Sequence, residues 1–143
     1  MKKYKFELET VLKVRNYREK AQQQKYAQAL QKQTSLENHK QSLIDELSSY
    51  AHWSNSQNGA IDARHFQYIE QKHQQIRKMD ERIVRAKSET EAERKKLLEA
   101  RRNTKAMENL EHQHRMAYLK EMDREEQKVM NEIATIRYNR NDR

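Results

Sequence analysis

The sequence contains no cysteine, no proline and a single glycine. Without cysteine there is no disulfide framework, no thiol nucleophile and no thiolate zinc site. One glycine cannot supply a glycine-rich phosphate loop, a dinucleotide-binding turn or a strained nucleophile elbow, each of which needs several residues at positive φ or in close backbone approach. The scarcity of both turn formers also removes the punctuation of hairpins and tight loops. No uncharged apolar run is long enough to span a bilayer. The N-terminus has the basic start of a secretory signal (Lys2, Lys3, Lys5), but no apolar stretch follows it, so a cytoplasmic protein is expected.

What is present is helix-forming. Ala, Glu, Lys, Leu, Arg and Gln dominate the 143 residues, all of them good helix formers. Charged residues (36%) slightly exceed hydrophobic ones (34%), so each helix has a narrow apolar stripe set in a solvated surface. Breakers gather in one place, Trp53 to Asp62, where the only Gly sits among Ser and Asn. The reading is one coiled-coil domain over 1–143: helix 1 about 8–53, a loop 54–61, and helix 2 about 62–138. At 1.5 Å per residue the helices are about 70 Å and about 115 Å long. Asp62 is placed to cap the second helix, and Ile61 with Phe66 has the spacing of a hydrophobic staple.

The stripes follow a heptad. In helix 2 Ile69, Ile76, Ile83, Thr90, Leu97 and Thr104 recur every seven residues, with Met79, Ala86, Ala100 and Met107 as their partners. The seam shifts phase near Tyr118 and continues through Met122, Val129, Ile133 and Ile136. In helix 1 Ala29, Leu36, Leu43 and Tyr50 are seven apart, with Tyr26 and Leu47 on the same face. A short loop makes the two helices antiparallel neighbours. A turn centred near Gln57 sets residue 40 against about residue 74 and exhausts helix 1 opposite about residue 106. The rest of helix 2 then overhangs with its stripe intact (Met107, Leu110, Tyr118, Met122, Val129, Ile133, Ile136). A solitary helix has no reason to keep such a stripe, so it implies a partner molecule. Gln33, Lys40, Lys72, Glu93, Glu111 and His114 interrupt the seam, and the expected product is a marginally stable, bendable rod.

Lys and Arg number 30 against 22 Asp and Glu, and the excess is uneven. Residues 94–105 hold six positive charges and one negative; residues 1–25 hold eight and three. In the assumed register Lys13 faces Arg101, Arg18 faces Lys96 and Lys20 faces Arg94. Such repulsion is relieved by salt or by an acidic partner. A solvated basic face is the plain alternative, and nucleic acid phosphate another, against which sparse aromatics and the mixed-charge continuation of the helix both argue. The six histidines form no i, i+4 pair, which disfavours metal binding. The carboxylates have no concave site to separate their pKa values, so no enzyme and no cofactor are expected. Aromatics gather near the turn (Tyr50, Trp53, Phe66, Tyr68), either as a packed cap or as a partner-binding tip.

Phe6-x-Leu8-x-x-Val11-Leu12-x-x-Arg15, Arg18-Glu19-x-Ala21, Lys105, Leu110, Arg124-Glu125-Glu126-Gln127-Lys128 and Asn131-Glu132-Ile133-Ala134 together resemble the FliJ family of the flagellar type III export apparatus. Asn131 departs from the Asp more usual in that family. The resemblance implies a non-enzymatic stalk, similar to the γ subunit of rotary ATPases. It would bind and promote assembly of a FliI-like hexameric export ATPase, link it to a FlhA-like export gate and escort export chaperones. On that analogy Arg15, Arg18, Arg94, Lys95, Lys96, Arg101 and Arg102 would meet acidic ring loops, and Met122, Val129, Ile133 and Ile136 would enter the ring. Leu43, Leu47, Tyr50, Phe66, Tyr68 and Ile69 would face the gate. The implied location is the cytoplasmic side of the inner membrane at the flagellar base, peripherally bound. The corresponding stalk of a virulence-type secretion system and a basic nucleic-acid-binding or scaffolding coiled coil are the alternatives.

Overall fold

The computed structural model describes residues 3–56 and 63–142. Within them the chain is all-α, as expected: α1 (Glu9–Ser56) and α2 (Ala63–Asn141) pack against each other, and there is no strand. With no proline and no glycine inside either helix, nothing in the backbone interrupts them. The Glu9 amide donates to Phe6 O at 3.2 Å where the chain enters α1. Glu9 in the first turn of α1 and Arg140 in the last turn of α2 complement the helix dipoles. Asp62, the Ile61 half of the expected staple, and the glycine lie outside the described residues. Ser54, Asn55 and Ser56, expected in the loop, belong to α1.

The residues group into two compact units, Lys20–Glu99 and Met1–Glu19 with Ala100–Arg143. In the Lys20–Glu99 unit the strand-like alternation is absent and the heptad governs burial. Met79, Ile83, Ala86, Thr90 and Leu97 are buried along α2 and Leu43 along α1, while Tyr26, Ala29, Leu36, Leu47, Ile69 and Ile76 are half-buried. The polar interruptions each find a partner. Lys40 pairs with Asp80 at 2.5 Å, and Lys72 with Glu46. The Gln22 amide donates to the Glu93 carbonyl at 3.1 Å and also to its carboxylate. Thr90 Oγ1 donates to Ala86 O at 2.8 Å, so a buried hydroxyl is satisfied within its own helix. Outside the seam, Lys32 and Glu89 bridge the helices at 3.4 Å.

In the other unit the start of α1 lies antiparallel to the middle of α2. Arg15 Nη1 donates to Asn103 O at 3.0 Å, Thr104 Oγ1 lies 3.4 Å from Arg15 O, and Glu19 pairs with Arg101. The non-helical segment before α1 continues this packing. Phe6 is 5% exposed and meets His114 edge-on at 5.7 Å. Tyr4 rests against Tyr118 at 5.4 Å, donates its hydroxyl to Glu111 O at 3.2 Å, and takes Arg115 over its ring.

Two expectations change. Lys40 meets Asp80, where residue 74 was expected, and Tyr50 meets Tyr68. The register is therefore displaced by about one helical turn. The cause is that α1 continues past Trp53, which moves the reversal of direction further along the chain. The overhang also starts later. Met107 is buried, Leu110 half-buried, and Tyr118 covered by Tyr4, so the unpartnered length begins after Tyr118 rather than near residue 106. Replacing Phe6 by Ala should cost about 2–3 kcal/mol of local stability. Amide hydrogen exchange over residues 107–118 checks this: it should accelerate in Phe6→Ala and stay unchanged in Tyr17→Ala, whose side chain is 74% exposed.

Candidate functional site

Three surfaces gather the residues singled out from the sequence. The first is the far part of α2. Beyond Tyr118, Leu119, Val129, Ile133 and Ile136 are exposed and Met122 is half-buried. Val129 (54% exposed) and Ile136 (61%) sit one heptad apart and are left open to solvent among the described residues. Met122, Glu125, Val129 and Met130 line a shallow, largely apolar groove along the helix. Leaving aliphatic groups of this size in water is unfavourable, and their regular spacing is that of a seam awaiting a second element.

The second set of residues is cationic and is divided between the two units. In the Met1–Glu19 and Ala100–Arg143 unit, Arg18, Arg101 and Arg102 are exposed and Arg15 is half-buried. Arg15 is committed to Asn103 O, and Arg101 to Glu19 at 3.8 Å. In the Lys20–Glu99 unit Arg94 grips Glu91 of its own helix through two nitrogens, at 2.7 and 2.9 Å. The bidentate contact holds the Glu91 carboxyl below its ordinary range and raises the guanidinium. Lys96 lies 3.5 Å from Glu93. The Gln22 amide first, and Lys96 with it, holds Glu93 below the usual carboxylate range, which keeps a charge beside the seam.

The expected facing of cations is therefore not what these side chains do. Lys13 pairs with Glu9, Arg101 with Glu19, Arg94 with Glu91 and Lys96 with Glu93. Gln22 of α1, not Lys20, is the residue that reaches across to Glu93 beside Arg94. Of the seven basic residues singled out from the sequence, Arg18, Lys95 and Arg102 have neither an ion pair nor a side-chain hydrogen bond among the described residues.

The third surface lies in the Lys20–Glu99 unit near the ends of α1 and α2. Tyr50 is its centre, with ring centroids 4.3 Å from Tyr68, 5.1 Å from His65 and 5.8 Å from Trp53. Tyr50 Oη lies 2.8 Å from His65 Nδ1. Phe66 packs edge-on to His65 but keeps 62% of its surface exposed. Lys72 sits 5.6 Å over the Tyr68 ring, and its bond to Glu46 raises its pKa. Of the six residues assigned to a gate-facing surface, Leu43 is buried in the seam and Leu47 and Ile69 are half-buried there. Phe66 is the one fully presented, beside half-buried Tyr50 and Tyr68.

Tyr4 and Phe6 were not placed in any site by the sequence reading, although they decide where the unpartnered stripe begins. Their signal was an aromatic alternation just ahead of the first heptad positions. Among the described residues no group of His, Asp and Glu is arranged to hold a metal ion, and no helix is long and apolar enough to cross a membrane.

No curated protein and no solved structure matches the chain. The family described as "Flagellar FliJ protein" matches residues 4–143, a span that takes in Tyr4, Phe6, both helices and the exposed stripe of α2. The chain belongs to the flagellar FliJ family, and its role lies in flagellar protein export.

Proposed function

We propose that this chain is a non-enzymatic stalk of the export apparatus, which binds a hexameric export ATPase through the exposed stripe of α2. The reading rests on the run Met122, Val129, Ile133, Ile136, kept at seam spacing with no partner among the described residues. A ring with an apolar lumen would cover that stripe, and its acidic groups would take cations such as Arg18, Lys95 and Arg102, which have no ion pair among the described residues. Arg15, Arg94, Lys96 and Arg101 would contribute field more than direct contact, because their own neighbours already hold them. The aromatic surface at Tyr50, Phe66 and Tyr68 serves as the contact to the export gate. Chaperone escort and a peripheral position at the cytoplasmic face of the inner membrane follow from the same family reading. Membership of a flagellar family favours the flagellar system over a virulence-type one.

ATP hydrolysis by the cognate export ATPase, at fixed subunit concentration, should rise when this protein is added. The Val129→Ser, Ile133→Ser, Ile136→Ser triple variant should lose both ring binding and stimulation. Lys95→Glu with Arg102→Glu should weaken binding in a salt-dependent manner without unfolding the chain, since neither cation has an intramolecular ion pair to lose. Full stimulation by the triple variant would place the ring contact elsewhere. Separately, Phe66→Ala should weaken binding to the gate protein by about tenfold, the loss typical of an exposed aromatic anchor, with ATPase stimulation retained. Titration of the gate's cytoplasmic domain against both proteins checks it.

A further inference from the structure

The charges flanking the exposed stripe are segregated along α2. Residues 121–132 hold five carboxylates (Glu121, Asp123, Glu125, Glu126, Glu132) against Arg124 and Lys128. Next along the helix come Arg137 and Arg140. Within the described residues of this stretch the only ion pair is Arg124 with Glu121, at 3.6 Å. Asp123, Glu125, Glu126, Arg137 and Arg140 thus remain without one. Elsewhere along α2 some charges do find partners: Lys72 and Asp80 pair with Glu46 and Lys40 of α1, and Arg94 with Glu91 of its own helix. An acidic block, a basic block and an apolar seam running through both describe a surface complementary to itself in reverse.

We infer that this stripe docks against the same stripe of a second copy of the chain, with the two helices antiparallel and centred near residue 131. In that register Val129 meets Ile133 of the other copy, Met122 meets the Asn139–Arg140 turn, and Ile136 covers the aliphatic stem of Glu126. Asp123 comes opposite Arg137 and Glu126 lies close to Arg140, each twice by symmetry. A parallel pair would instead stack acidic block on acidic block, which like-charge repulsion opposes. The one unfavourable approach in the antiparallel pair is Glu132 to its own copy, at the solvent edge. The contact is much smaller than the about 1,600 Å² of a standard interface, so the association is weak, reversible and concentration-dependent. It covers the exposed apolar groups when no larger partner does, and it competes with any partner that takes the same stripe. It does not depend on the ring-binding reading: a chain that stays monomeric leaves that reading standing.

Sedimentation of the full chain over a wide micromolar range tests the inference, and it should reveal a monomer–dimer equilibrium. Asp123→Lys with Glu126→Lys should weaken dimerisation by about tenfold, four modest charge contacts being reversed. Adding Arg137→Glu and Arg140→Glu to the same chain should restore it. Because the chain lacks cysteine, orientation can be read directly. A mixture of Met122→Cys and Asn139→Cys chains should form a mixed disulfide-linked dimer well in excess of either homodimer. Three results would each overturn the inference: a monomer at every concentration, a dimer indifferent to the charge swaps, or Met122→Cys homodimers forming as readily as the mixed product.

Discussion

Two helices lying side by side can bury one stripe of each and no more. That constraint sets everything else in this chain. Among the described residues no side chain is wholly excluded from solvent, and the buried set is short: Phe6, Leu43, Met79, Ile83, Ala86, Leu97 and Met107, with Thr90 and Thr104. With so little enclosed volume, stability rests on continuous register rather than on a central core. The polar interruptions reinforce the point. Gln22–Glu93, Lys40–Asp80 and Lys72–Glu46 are satisfied only in the observed pairing, so a slip along the seam would strand each of them.

The same constraint generates the functional surface. Among the described residues, the cover of α2 nearest its far part is supplied by Tyr4 and Phe6, which precede α1 and lie outside any helix. Past Tyr118 the heptad continues but its other half is missing. An apolar seam without a partner has a definite meaning in physical terms: it is half of an interface. Family membership in the flagellar FliJ group gives the setting, protein export, and the stripe gives the means of attachment that we propose.

Much of this was legible in the sequence because helices of this kind write their geometry in a single period. The positions of Ile69, Ile76, Ile83, Thr90 and Leu97 foretold the face of α2 that turns inward. What was not legible depended on chain reversal. Ser and Asn before the glycine read as loop, yet Ser54, Asn55 and Ser56 remain helical, since weak local propensity yields to continuation of an existing helix. That extension displaced the register, and several of the cations expected to face one another, Arg101 and Arg94 among them, hold carboxylates such as Glu19 and Glu91. Tyr4 and Phe6 were hidden for another reason. Non-helical segments that pack beside a helix follow no helical period, so a heptad search passes over them.

On this proposal the apolar stripe within residues 119–136 of α2 lies largely open in the isolated chain and is covered when the export ATPase binds. Amide and side-chain protection measured along α2, with the dilute protein alone and then with the assembled ATPase hexamer, tests it most directly. The account predicts fast exchange beyond Tyr118 in the isolated chain and strong new protection at Met122, Val129, Ile133 and Ile136 in the complex. A tight, active complex in which that stretch exchanges as fast as before would contradict it.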